Sequence, residues 1–232
     1  MVSVVLLAGL VWASAAVSAH AVAAGGPVDV QMWPQDGQAI VITSVELPQG
    51  TKLPAIVRIP VAPGSTVEWA GEIVGAAASG DIPAEYKLAQ GAGGEYAEFT
   101  LTKSLRGQID TVASTLTVSG QRISTTLDWV QSVASPQTSF SVRSPSGVSD
   151  VKITPSPVGA PVGNEQGEQL YVLPDQTLAE GQKATVVLSY STAPPVGSVP
   201  ANSASTIVIV LVAGLVVAVL ALILVARRRS SV

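Results

Sequence analysis

The sequence predicts an all-β fold: an antiparallel β-sandwich ectodomain of two tandem immunoglobulin-like modules, followed by one C-terminal transmembrane helix. Three observations lead there. Short runs rich in Val, Ile, Thr and Tyr, bounded by Gly and Pro, recur at a spacing of roughly 8–12 residues, as sandwich strands do. Several of these runs alternate polar and apolar residues, as in Thr66-Val67-Glu68-Trp69-Ala70 and Thr138-Ser139-Phe140-Ser141-Val142-Arg143, which gives each strand one core face. Helical periodicity hardly appears, and the one long uncharged stretch, Thr206 to Ala226, has the length of a membrane span.

Taken in order, residues 1–24 read as a signal peptide. Val2 to Ala16 is an apolar run, and Ala19-His20-Ala21 offers small residues where a signal peptidase needs them, so cleavage is expected after Ala21, Ala23 or Ala24. The basic residues of an ordinary n-region are missing here. Residues 25–120 form the first expected module. Its clearest element is a hairpin, because Val28 to Trp33 and Gln38 to Glu46 flank Pro34-Gln35-Asp36-Gly37, and Asp-Gly between β-prone runs favours a tight turn. Further strands are expected at 55–61, 66–73, 96–103 and 114–118, with a long Gly-rich loop at 81–94. The second module, 121–192, holds expected strands at 123–130, 139–143, 148–153, 170–173 and 184–190.

A weak internal echo supports the division in two. Ile56-Val57-Arg58-Ile59-Pro60 parallels Ser141-Val142-Arg143-Ser144-Pro145, and Gly94-Glu95 with Gly107 parallels Gly167-Glu168 with Gly181. Residues 193–205 are Pro-, Ser- and Ala-rich without charge and read as an extended stalk. The apolar span at 206–226 is followed by Arg227, Arg228 and Arg229, which the positive-inside rule assigns to the cytoplasm, leaving 227–232 as a minimal tail. The order of spacer, span and Arg cluster resembles the C-terminal sorting signals cleaved by sortase-type transpeptidases. Such signals carry a motif of the kind Leu-Pro-x-Thr-Gly, where this chain reads Val199-Pro200-Ala201-Asn202-Ser203. A retained single-pass anchor with the ectodomain outside is therefore the expectation.

Composition narrows the chemistry. All 16 acidic residues lie between Asp29 and Glu180, against nine basic residues scattered singly from Lys52 to Lys183, so no basic stripe exists for nucleic acid. There is no cysteine, and the one histidine, His20, belongs to the expected signal peptide. Imidazole- and thiolate-dependent nucleophiles and metal sites are thereby set aside, and no cofactor or metal is expected. What remains is carboxylate chemistry. Glu68 and Glu72 flank Trp69, while Glu95 and Glu98 flank Tyr96, pairs a glycoside hydrolase could employ if suitably spaced. Asp81 and Glu85 could contribute to calcium binding, but no Asp-rich calcium loop is present.

Trp33, Trp69 and Trp129 are the tryptophans expected in the mature chain. The alternation of their runs favours core positions for Trp69 and Trp129, while Trp33 sits at a hairpin edge. Trp33, Trp69 and Arg58 are the candidate ligand contacts, and no catalytic residue is assigned. The expected role is a non-enzymatic, exported, membrane-anchored surface protein meeting a protein or cell-envelope glycan partner, including service as an accessory subunit of a membrane complex. The alternatives are a carbohydrate-binding module using Trp33 and, behind it, a carboxylate-dependent glycoside hydrolase. Nothing in the sequence sets the oligomeric state.

Overall fold

A computed structural model describes residues 25–75 and 78–192. The expected signal peptide, stalk, transmembrane helix and tail, with Arg227, Arg228 and Arg229, lie outside the described residues. Among the described residues the fold is all-β, with three sheets, one 3₁₀ turn at Ala78–Gly80, and no helix long and apolar enough to cross a membrane.

The strands before residue 120 are β1 (Val28–Gln35), β2 (Gln38–Glu46), β3 (Ala55–Pro60), β4 (Thr66–Glu72), β5 (Ile82–Pro83), β6 (Lys87–Gly91), β7 (Gly94–Leu101), β8 (Arg106–Thr115) and β9 (Thr117–Ser119). After it come β10 (Arg122–Val130), β11 (Thr138–Ser144), β12 (Ser149–Thr154), β13 (Val162–Gly163), β14 (Gln169–Val172) and β15 (Lys183–Ser191). They assemble into an eight-stranded sheet of order β13-β14-β11-β1-β2-β8-β4-β5, a four-stranded sheet β12-β15-β10-β9 and a three-stranded sheet β3-β7-β6. The β1–β2 hairpin closes as its sequence dictates. Asp36 and Gly37 have φ of 51° and 80°, the pair of positive angles that matches a tight turn to the strand twist.

The expected boundary at residue 120 does not divide the sheets. β1, from the first half, pairs with β11, from the second, so the eight-stranded sheet runs through both halves. This pair is also parallel, a departure from the purely antiparallel expectation. A hairpin cannot join parallel neighbours, but the roughly hundred residues between these strands leave ample chain for a crossover. The described residues belong to one compact unit ending at Thr192.

One core explains that unity. Val28, Val30, Met32, Val41, Val45, Ile109, Phe140 and Val142 from the eight-stranded sheet cluster with Val57, Ile59, Ala97, Phe99 and Leu101 from the three-stranded sheet. Leu127, Trp129, Val186 and Leu188 of the four-stranded sheet join the same cluster. Trp129 is fully buried, as its alternation predicted, and meets Phe140 edge-to-face at 6.1 Å. Its indole N–H donates to Oε1 of Gln131 at 3.1 Å, which satisfies the one polar group the ring brings inside.

Two segments differ from expectation for local reasons. The expected loop at 81–94 contains β5 and β6, the latter pairing with β7 although Lys87-Leu88-Ala89-Gln90-Gly91 contains no β-branched residue. The ten-residue β8, expected only as a short run from Ser114, begins at Arg106 and pairs with both β2 and β4.

Candidate functional site

The site is the outward face of the eight-stranded sheet, where alternation turns every second side chain away from the core. Register fixes its central row. Trp69 of β4 lies opposite Asp110 of β8, Asp110 opposite Ile42 of β2, and Ile42 opposite Gln31 of β1. Gln31 in turn faces Ser141 of β11, and Ser141 faces Val172 of β14. Asp29, Ser44, Gln108 and Ser139 form the neighbouring row on one side, and Trp33 and Ile40 stand on the other. At the β13–β14 edge the face becomes apolar, with Val162 65% and Val172 47% exposed. A cavity of about 400 Å³ opens in its middle, lined among others by Asp29, Gln31, Ile42, Ser44, Arg106 and Val172.

Trp69 is here because of a β-bulge, which corrects its expected core position. Strict alternation would put Trp69 on the same face as buried Val67. The register shifts between Val67 and Trp69, however, so Val67 stays in the core and Trp69 emerges half-buried beside Asp110. Its ring then lies along the strand over Gly71, where an added Cβ would stand 2.7 Å from Cζ2 and 2.8 Å from Cη2. Trp33 shares the face and is also half-buried, three strand spacings across the sheet from Trp69 and one row along it. Arg143 covers its ring at 4.8 Å from the centroid, and Arg143 Nη1 pairs with Glu168 Oε2 at 3.5 Å.

Arg58, the third candidate, is elsewhere. It stands on the outward face of the three-stranded sheet, where its Nε donates to Oε2 of Glu98 at 2.8 Å and its guanidinium lies 5.1 Å from the Tyr96 ring centroid. Lys87 Nζ holds the other oxygen of Glu98 at 2.8 Å. The Lys87 hydrogen bond and, beyond it, Arg58 keep the Glu98 carboxyl below its ordinary value despite burial. The structure thus brings Trp33 and Trp69 onto one surface and leaves Arg58 in a separate ion cluster.

Neither flanking pair of carboxylates singled out for hydrolysis converges, although Glu72 and Glu98 both line a cavity of about 680 Å³. Glu95 and Glu98 are three residues apart on β7, an odd separation that turns them to opposite faces. Glu72 points between the layers and is 2% exposed. The N–H and Oγ1 of Thr102 donate to its Oε1 at 2.8 and 2.7 Å, and the N–H groups of Lys103 and Ser104 donate to its Oε2 at 2.7 and 2.8 Å. Burial would raise this carboxyl, but the donors of Lys103, Ser104 and Thr102 outweigh it and hold the value low. Glu72 therefore anchors the turn from β7 to β8. Asp81 accepts from the Val74 N–H at 3.2 Å, and among the described residues no group of three or more Asp, Glu or His side chains comes together.

The outward face behaves differently. Burial raises the Asp110 carboxyl, with Gln108 Nε2 donating to its Oδ1 at 2.9 Å against that trend and the Asp81 charge adding to it. Burial likewise raises Asp29; Arg106 opposes this, while Asp175 and Glu46 reinforce it. Arg106 Nη2 donates to Ser44 Oγ at 3.1 Å. Sequence reasoning missed Asp29, Gln31, Arg106, Gln108 and Asp110. The available signal was the alternation of Gln108 and Asp110 with buried Ile109 and Thr111 along β8.

No family model matches this chain, and no curated protein matches it. Among solved structures, leukotriene A4 hydrolase from Saccharomyces cerevisiae is similar over 72% of this chain, at 8% identity and a TM-score of 0.39. The chain spans 29% of that enzyme's length. The mu homology domain of Danio rerio Fcho1, solved with a bound Eps15 peptide, is similar over 75% of this chain and 81% of its own, at 10% identity and a TM-score of 0.25. With scores this low, neither likeness bears on function.

Proposed function

We propose that this chain is a non-enzymatic, exported, membrane-anchored surface protein whose immunoglobulin-like β-sandwich ectodomain, its two halves joined through β1 and β11, presents the outward face of the eight-stranded sheet to a protein partner. The observation that carries the reading is the outward face of the eight-stranded sheet. It carries half-buried Trp33 and Trp69 and, at its β13–β14 edge, exposed Val162 and Val172, and exposed apolar residues rimmed by polar ones mark interaction sites. Tryptophan and arginine are also enriched at interface centres, and Trp33, Trp69 and Arg106 all stand on this face. The structural use of Glu72 and Glu98 supports the non-enzymatic part of the reading. A carbohydrate-binding role centred on Trp33 is the weaker alternative, because Arg143 already covers that ring.

The test is crosslinking of the native protein in its own membrane, followed by mass-spectrometric identification of captured molecules. The expected result is a reproducible protein partner lost in a Val162→Lys/Val172→Lys variant and retained in Leu88→Lys, at 49% about as exposed as Val172 but on the three-stranded sheet. Capture of glycan alone, or capture insensitive to the double variant, would overturn the reading.

A further inference from the structure

On its outward sheet faces the protein sets an aromatic ring beside a carboxylate three times, and in two of these places an arginine lies between them. Tyr96 and Glu98 hold Arg58, with 5.1 Å to the ring centroid and 2.8 Å to the carboxylate. Trp33 and Glu168 hold Arg143 at 4.8 and 3.5 Å. Trp69 and Asp110, direct cross-strand neighbours, make the third pair. Among the described residues no cation lies over the Trp69 ring and none pairs with Asp110.

We propose that Trp69 and Asp110 form the docking site for an arginine side chain presented by a protein partner. The inference rests on the contact-surface reading above and names the chemistry of its occupant. A guanidinium suits both halves of the site: its cationic plane stacks on the negative face of an indole, and its fork of N–H groups bonds a carboxylate. Both groups are held ready. Gly71 leaves room for the indole, since Cζ2 and Cη2 of Trp69 lie within 2.8 Å of where a Cβ at that position would stand. The carboxylate is oriented by the Gln108 amide at 2.9 Å, and register makes Asp110 the cross-strand neighbour of Trp69 on the same face. Burial and the nearby Asp81 charge leave Asp110 under-compensated, so a cation supplies what the protein does not. The excess of acidic over basic residues between Asp29 and Glu180 draws a cationic segment in the same direction.

The experiment follows the indole N–H signals of the full-length protein in detergent micelles by NMR at low ionic strength, titrating end-blocked Gly-Arg-Gly. Trp69→Phe assigns the reporting signal. The expected result is a saturable shift centred on the Trp69 indole, weakened about tenfold or more by Asp110→Asn. The same peptide with citrulline in place of arginine is expected to give no shift. Unchanged signals from the other tryptophans in Asp110→Asn show that the fold is intact. Absence of a saturable shift, an equal response to citrulline, or undiminished binding by Asp110→Asn would overturn the site. Putrescine binding as tightly as Gly-Arg-Gly would overturn the arginine assignment in favour of a free polyamine. Loss of peptide binding with membrane crosslinking still capturing a protein through Val162 and Val172 sinks this site alone. Peptide binding without a captured protein sinks the contact reading instead.

Discussion

Glu72 and Asp110 belong to the same strand pair, β4 and β8, and show what separates a carboxylate that holds a fold from one that is free to meet a partner. Glu72 turns inward, is 2% exposed and accepts four hydrogen bonds from Thr102, Lys103 and Ser104. Asp110 turns outward, is half-buried and accepts one hydrogen bond, from Gln108. Donors hold the first carboxyl below its ordinary value; burial lifts the second above it. Both lose water on folding, so the difference lies in how many donors replace it. A carboxylate ringed by N–H groups has no capacity for a ligand, whereas one left short of donors gains by acquiring one.

The largest expected effect comes from breaking the inner half of this comparison. Glu72→Ala removes the acceptor for four donors in the β7–β8 turn and is expected to cost about 3 kcal/mol or more. Denaturant unfolding in detergent, followed through the buried Trp129, measures it. The pH dependence follows from the sign of the shift. With its folded value lowered, Glu72 contributes stability that is fully present above its unfolded value and lost as pH falls through the folded one. Glu72→Gln is therefore expected to be less stable than wild type at neutral pH and to show a flatter acid limb.

A smaller effect is expected from Gly71→Ala, which tests what gives the Trp69 indole its place on the outer face. An added Cβ would run into the Ile82 carbonyl oxygen and stand 2.7 Å from the indole, so both β5 and the ring must shift. Overpacking of this kind costs about 1–3 kcal/mol. The Trp69 indole N–H signal is expected to move while that of Trp129 stays, and an unmoved Trp69 would show that the ring does not depend on Gly71.

The two carboxylates were not equally legible in the sequence, and neither were the elements that carry them. The β1–β2 hairpin was readable because Asp36-Gly37 states its turn locally. The burial of Trp129 was readable because β10 alternates without interruption. β8 was passed over because Gly107 and Asp110 are poor strand formers, and only pairing on both sides makes that segment a strand. The bulge before Trp69 leaves no local signature, so alternation carried the tryptophan to the wrong side of the sheet. The β1–β11 pairing joins residues more than a hundred positions apart, and the echo between Arg58 and Arg143 gave no hint of it. Structurally that echo joins an edge strand of one sheet to an interior strand of another. Even so, both arginines pair with a glutamate and cover an aromatic ring, a likeness of chemistry without likeness of position.

The smallest expected effect sharpens the outer half of the comparison and has the opposite sign. Because the Asp110 carboxyl is raised on folding, its contribution to stability is present below its unfolded value and is lost as pH rises through the folded one. At neutral pH the charged form is thus held against a net cost, and Asp110→Asn is expected to stabilise the protein slightly, by less than about 1 kcal/mol. Gln108→Ala acts on the same group from the other side. It removes the hydrogen bond that favours the charged form, so the Asp110 carboxyl should titrate higher still, with a matching small loss of stability at neutral pH. Carboxyl-carbon NMR titration of Asp110 in wild type and Gln108→Ala reads this directly. An Asp110 that titrates at the ordinary aspartate value in both would mean that the outer face is well hydrated there, and the contrast with Glu72 would reduce to exposure alone.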